Sequence, residues 1–227
     1  MIKQRILGTK WALKPLLLAT LLMAGCNGNA SKSVTDIDGN RYGTVKIGDQ
    51  LWMSENLRVT RYRNGDPIPE VRDGASWAAQ TAGARCSYDN NAENGKTFGM
   101  LYNWRAVNDP RGIAPEGWHV ATDKEWQELA EALGGEEVAG KVLKAPGKWS
   151  DQASESEKSS GFDALPSGAR RDADGAFVLL GQFARFWTAT PSSPGKAWGR
   201  AMEYYDGTIR RGEVGPKNGF AVRCFKD

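Results

Sequence analysis

His119 is the one histidine in a chain of 227 residues, so any nucleophile that needed a neutral imidazole as its base would have to use it. It sits in Gly117-Trp118-His119-Val120, just ahead of a helix start, and nothing in that position supplies a catalytic partner. The chain has no G-x-S-x-G elbow, no P-loop and no G-x-G-x-x-G fingerprint. His119 therefore reads as a hydrogen-bonded structural residue. Glu116, Glu125 and Glu203 are the carboxylates a glycosidase pair would draw on, but such a pair is defined by separation in space. Asp36-Ile37-Asp38-Gly39-Asn40 and Asp172-Ala173-Asp174-Gly175 superficially resemble calcium loops. Their glycine comes too early for an EF-hand and no glutamate closes either loop, so they read as turns. Asp89-Asn90-Asn91-Ala92-Glu93-Asn94 is the stretch most open to an oxygen-ligated cation. No catalytic set, metal site or cofactor is predicted.

The three cysteines divide by position. Lys3, Arg5, Lys10 and Lys14 form a positive segment without an acidic residue, and Leu16–Met23 adds an apolar stretch too short to span a membrane. Met23-Ala24-Gly25-Cys26 then resembles the lipobox of a bacterial lipoprotein precursor, in which the thiol receives a diacylglycerol. Residues 1–25 are thus expected to be an export signal and 26–35 a lipidated tether, with membrane attachment through Cys26. An ordinary secretory signal cut elsewhere is the alternative. Asn27 rather than Asp after the cysteine favours an outer-membrane address. Two thiols, Cys86 and Cys224, remain in an oxidising compartment, and an even remainder there is expected to form one disulfide. A redox or copper thiol pair is the competing reading.

Loss of the signal changes the charge argument. The formal net charge of +3 includes its four basic residues; without them 26 basic face 27 acidic residues, which gives no support for nucleic-acid binding. The 202 residues left suit one domain with a sizeable core. Eight tryptophans stay after Trp11 is removed, a high aromatic load. Flat rings stack on sugars and anchor interfaces as readily as they fill cores. Trp77, Trp149, Tyr204 and Tyr205, in or beside loops, are the candidate ligand-binding residues; Trp52, Trp104, Trp118, Trp126, Trp187 and Trp198 are assigned to the core.

The elements that must position these residues form a mixed α+β pattern. Arg41–Ile47 and Gln50–Met53 alternate around Gly48-Asp49 as a hairpin. The span from Asn64 to Asn94 loosens into Pro, Gly, Asn and Asp, with short helical pieces around Trp77. Phe98–Val107 is apolar enough for a buried strand, although periodicity alone does not exclude a helix. Thr122-Asp123-Lys124-Glu125 is a capping box opening a helix to Leu133 that Gly134 stops. A second helix is expected over Glu136–Lys144 with Val138, Val142 and Leu143 inward. Beyond the polar loop at Ser150–Ser160, Asp174-Gly175 and Asp206-Gly207 mark hairpins. Strands are expected at Phe186–Thr190, Ala197–Tyr204, Thr208–Val214 and Phe220–Phe225. An antiparallel sheet carrying both chain ends, with helices in the middle, is the economical arrangement.

The runs Thr44–Gly48 with Trp52–Leu57, Gly99-Met100-Leu101-Tyr102-Asn103-Trp104, Ala114–Trp126 and Gly219-Phe220-Ala221-Val222-Arg223-Cys224 resemble the Fibrobacter succinogenes major paralogous domain. The resemblance covers nearly all of the chain after the signal and implies a domain over residues 36–227. It implies a C-type-lectin-like fold with antiparallel sheets, two central helices, long loops and both domain ends in the sheet. The lectin-type calcium motif is not carried over, because Asn108-Asp109-Pro110 has the wrong order and no Trp-Asn-Asp follows. What the resemblance implies is a membrane-anchored, noncatalytic envelope or surface lipoprotein that binds a glycan or an envelope protein. Two alternatives are an envelope enzyme of the formylglycine-generating type, which would need Cys86 and Cys224 as a neighbouring thiol pair, and a purely structural envelope component.

Overall fold

The computed structural model of the protein describes residues 33–150 and 159–227. The expected signal 1–25, Cys26 and the tether up to residue 32 lie outside the described residues, as does most of the Ser150–Ser160 loop. Strand pairing begins earlier than the sequence suggested. Ser33–Thr35 forms β1, paired antiparallel with β2, Arg41–Ile47, so these residues are sheet rather than tether. The Asp36 turn makes the pairing: its carboxylate accepts the N–H groups of Asp38 and Asn40, both at 2.9 Å, and the Tyr42 hydroxyl at 2.6 Å. That is the Asx-turn chemistry expected of Asp36–Asn40. Gly48-Asp49 then returns the chain into β3, Gln50–Met53, with Val45 opposite Trp52.

A long irregular stretch follows, carrying α1, Gly74–Ala78, then β4, Arg85–Cys86, a 3-10 turn at Tyr88–Asn90, and α2, Ala92–Phe98. The polar run at Asp89–Asn94 serves this local structure. Asn91 caps α2 by accepting from Glu93 N–H, Asn94 donates to the Tyr88 carbonyl, and Glu93 pairs with Lys96. The apolar run expected to be one strand at Phe98–Val107 is divided into the end of α2, a two-residue strand β5, Leu101–Tyr102, and a helical turn α3, Trp104–Val107. Asn103 causes the break. Its side-chain oxygen accepts Ala106 N–H at 3.0 Å and Ala84 N–H at 2.9 Å, capping α3 and tying it to the loop before β4.

After β6, Trp118–Val120, come α4, Asp123–Ala132, and α5, Glu136–Leu143. The capping box at Thr122 and Glu125 is formed as the sequence spelled it. In α5 the expected inward face is rotated: Val138 is 48% exposed while Ala139, Gly140 and Leu143 are buried. Gly140 is the reason, since a Cβ there would come within 2.6 Å of the Thr208 carbonyl oxygen. The helix packs its smallest residue against that backbone and turns Val138 to solvent. The remaining strands are β7, Ser167–Arg170, β8, Phe177–Leu180, β9, Phe183–Pro191, β10, Ala197–Glu203, β11, Ile209–Val214, and β12, Cys224–Lys226. Most of the strand expected over Phe220–Phe225 contacts its neighbours through isolated bridges at Phe220 and Ala221 instead.

Two five-stranded sheets result, ordered β1-β2-β3-β12-β6 and β11-β10-β9-β7-β8, with a two-stranded β4-β5 ribbon. Pairing is antiparallel except between β7 and β9. The protein is thus a mixed α+β structure with several sheets and five helices among the described residues, and the first and last described strands share a sheet. None of the described helices is long and apolar enough to cross a membrane.

The core is aromatic: Trp52 packs against Trp126, Phe162 and Phe225 at centroid distances of 5.0–5.7 Å. It also contains four fully buried cations, which transfer arguments alone would exclude. Three grip main-chain carbonyls. Arg170 donates to Gly175, Val71 and Arg72; Arg223 donates to Met53, Phe162, Asp163 and the Asn56 side chain; Lys144 donates to Glu203 and Asp206. Each also lies over an aromatic ring, at 4.4–4.8 Å. The fourth, Arg200, binds carboxylates: Asp123 at 2.8 Å and Glu136 at 2.6 Å, joining the first turns of α4 and α5 to β10.

Candidate functional site

The four aromatic residues expected at a ligand surface do not gather on one face. Trp77 and Trp149 are 0% and 4% exposed, in separate core clusters, each donating its indole N–H to a carbonyl, of Lys217 and Ala164. Neither is available to a ligand; both brace loops. Tyr204 and Tyr205 do meet, with ring centroids 5.2 Å apart and planes at 87°, beside Phe183. They make a corner rather than a platform, and Tyr205 alone of the four is exposed. Its hydroxyl donates to the Glu203 carboxylate, which also faces Arg210 at 3.3 Å.

The expected disulfide is not formed. Cys86 and Cys224 are free and buried, Cys86 among Val71, Trp77 and Leu101, Cys224 in the cluster of Met53, Val120 and Val222. An even cysteine count says nothing of proximity, and the chain threads these two into different parts of the core. Burial raises both thiol pKa values, Cys86 to about 11 against a partial offset from Arg170, so neither is an ionised nucleophile near neutrality.

His119 lies between two carboxylates, with Nδ1 2.6 Å from Asp227 Oδ1 and Nε2 2.8 Å from Glu125 Oε1. Partial burial favours the neutral ring, but the hydrogen bonds to Asp227 and Glu125 outweigh it and raise the pKa. Glu125 is meanwhile committed to the capping box through Thr122 N–H at 2.7 Å. The arrangement is a clamp between β6, α4 and the last residue. Glu116 lines a small cleft beside Arg63, Glu125 holds His119 and Glu203 faces Arg210, so the three carboxylates are not brought together in one of these clefts.

One cleft, with a volume of about 750 Å³, is built from four separate segments. Residues 81–83 precede β4, residues 104–111 run from α3 into the Asn108-Asp109-Pro110 bend, 191–196 form the β9–β10 turn, and Pro216 closes the set. Asn103 and Pro216 fix the first wall, because the Asn103 cap orients α3 and the Pro216 carbonyl accepts Trp104 N–H at 2.9 Å. The Trp104 ring, assigned to the core from sequence, is half-buried on this wall and donates its indole N–H to Thr188 at 3.0 Å. The opposite wall is a tight turn in which Ser192 N–H donates to Lys196 and Lys196 N–H to Ser193.

Thr81, Asn108, Ser192 and Ser193 line the cleft with Trp104, and Arg105 and Lys196 bring positive charge, Lys196 facing Glu213 at 3.7 Å. Asp109 is the one carboxylate of the lining. Arg111 holds it through Nε and Nη2, both at 2.8 Å, and these bonds keep its pKa below the usual carboxylate range. Arg111 is itself stacked on Tyr62 at 3.9 Å. The cleft can therefore offer an aromatic ring with hydroxyl and amide partners, and its carboxylate is held ionised. A volume of this size suits a small organic ligand.

A family model described as the Fibrobacter succinogenes major domain matches residues 45–226 of the chain. Neither a curated protein nor a solved structure matches it.

Proposed function

The chain belongs to the Fibrobacter succinogenes major domain family, and we propose that it is a noncatalytic binding module of the bacterial envelope, anchored by lipid at Cys26, whose Trp104 cleft holds a glycan. The observation that carries this reading is the composition of that cleft: one indole ring, the hydroxyl residues Thr81 and Ser193 and the Asn108 amide line a volume of about 750 Å³. Sugars present apolar C–H faces and rings of hydroxyls, and this pairing of stacking with neutral hydrogen bonds is what recognises them. A glycosidase needs two carboxylates flanking the bond it cleaves. Asp109 is locked by Arg111 and has no second carboxylate beside it in the lining. The formylglycine-generating alternative needs two neighbouring thiols, and Cys86 and Cys224 lie in different clusters with raised pKa values. A C-type-lectin-like scaffold, suggested by the sequence motifs, accords with a cleft formed between loops outside the sheets.

The test is a panel of envelope and plant-type oligosaccharides titrated against the full chain in nonionic detergent. Saturable binding is expected, weakened at least tenfold by Asn108→Ala or Ser193→Ala and unchanged by Tyr205→Ala. The glycan reading is overturned if no saccharide saturates; retention of a defined proline-containing peptide instead would make the cleft a peptide site. Replacement of Cys26 by Ser is expected to release the protein from the membrane fraction, and undiminished retention would remove the anchor.

A further inference from the structure

A second cleft, of about 570 Å³, shares no residue with the first and contains a largely buried arginine that differs from the fully buried cations of this protein. The Arg85 side chain is 14% exposed, yet among the described residues its guanidinium makes no hydrogen bond. Arg170, Arg200 and Arg223 each donate three or more. Arg85 has one acidic neighbour, Glu70 Oε2, at 3.8 Å, too long for a hydrogen bond. The other Glu70 oxygen is taken by Arg72 Nε at 2.8 Å. Two guanidinium groups thus share a single carboxylate on one wall of the cleft.

The remaining charges of the lining are already matched. Asp38 is spent on Arg61 and on the Thr60 N–H and hydroxyl; Arg58 is paired with Glu55, and Lys96 with Glu93. One positive charge is left over, and it belongs to the Arg72–Arg85 pair. The backbone holds both in place. Arg85 N–H donates to Pro69 at 2.9 Å and its carbonyl accepts Val71 N–H at 3.0 Å, while the Arg72 carbonyl accepts from buried Arg170 at 2.7 Å. A desolvated guanidinium with free N–H groups, fixed beside open volume, is prepared for a partner with paired oxygens.

We infer that this cleft is a binding site for an oxyanion, the carboxylate of an acidic sugar or a phosphate group, held by Arg85 and Arg72. The oxyanion accepts the N–H groups that Glu70 leaves unused, and the rest of the volume accommodates the body of a monosaccharide-sized ligand. The site does not depend on the glycan reading of the Trp104 cleft.

Sodium glucuronate, inorganic phosphate and glucose, each titrated calorimetrically into the full chain in nonionic detergent at low ionic strength, test the assignment. Saturation by glucuronate or by phosphate, and not by glucose, is expected; which anion saturates identifies the source of the charge. Arg85→Gln is expected to weaken binding at least tenfold. Glu70→Gln, which removes the competing carboxylate, is expected to tighten it several-fold, a change that misfolding would not produce. Lys124→Ala, an exposed residue of α4 outside both clefts, leaves it unchanged. The assignment is overturned if neither anion saturates, or if Glu70→Gln fails to tighten the binding.

Discussion

Asp123→Asn is expected to destabilise the domain by about 3 kcal/mol, since removing one partner of a buried ion pair typically costs 3–5 kcal/mol. Asp123 Oδ1 accepts both Nε and Nη2 of Arg200, whose side chain is 0% exposed, and Oδ2 accepts Arg211 Nε at 2.8 Å. The low end of the range applies because Arg200 keeps Glu136 at 2.6 Å, so the cation is not stranded. Arg211 is 38% exposed and adds less than about 1 kcal/mol after solvent screening. At about 2–4 °C per kcal/mol for a domain of this size, the melting midpoint should fall by roughly 6–12 °C, read by circular dichroism with a parallel urea titration. Arg200→Met alone should cost as much or more, because Asp123 and Glu136 then face each other across the gap. The double variant Asp123→Leu with Arg200→Met should recover part of the loss, since an apolar pair carries no desolvation cost. A loss under about 1 kcal/mol for Asp123→Asn, or a double variant as damaged as the sum of the singles, would refute the idea that this pair locks the two helices to β10.

Gly140→Ala sets propensity against packing. Alanine in a helix is favoured by up to ~1 kcal/mol, yet its Cβ would lie 2.6 and 2.7 Å from the Thr208 and Gly207 carbonyl oxygens, so a net loss of ~1–3 kcal/mol is expected; a stabilised variant would show that α5 moves freely. His119, as the single histidine, gives one imidazole titration by NMR. Its midpoint is expected above the usual 6.5 because the Asp227 and Glu125 carboxylates outweigh burial. Its raised folded-state pKa makes the clamp's contribution to stability complete below about pH 6.5, and that contribution fades as pH rises through the folded value. Asp227→Asn should lower the midpoint, and a wild-type midpoint at or below 6.5 would contradict the clamp geometry.

What the sequence disclosed was local. The β2–β3 hairpin and the start of α4 were legible to the residue because alternation, a Gly-Asp turn and a capping box act within a few positions. The misread elements were decided by distant contacts. Asn103 divides an apolar run by accepting a bond from Ala84, 19 residues back, and Gly140 rotates α5 against a backbone 68 residues ahead. Trp77 and Trp149 lay in polar surroundings along the chain but fill space beneath it, whereas Trp104, in a strongly apolar run, reaches a cleft. Neither cleft has a contiguous motif: the first draws on four segments, and Arg85 differs from its neighbours in making no side-chain hydrogen bond among the described residues, which composition does not record. Asn108-Asp109-Pro110 was the one local signal near the first cleft, noticed as a failed calcium motif and placed at the rim as a bend.

Arg170, Arg223 and Lys144 bear on how such a domain could change. What they seize in the loops is almost entirely carbonyl oxygen, a group that every amino acid carries, so these hydrogen bonds are indifferent to which side chain stands at Val71, Arg72 or Asp206. A loop held in this way can exchange its outward residues without losing its course. The three cations thus separate the shape of the surface from its chemistry, and a domain built on them can present many different faces from one frame.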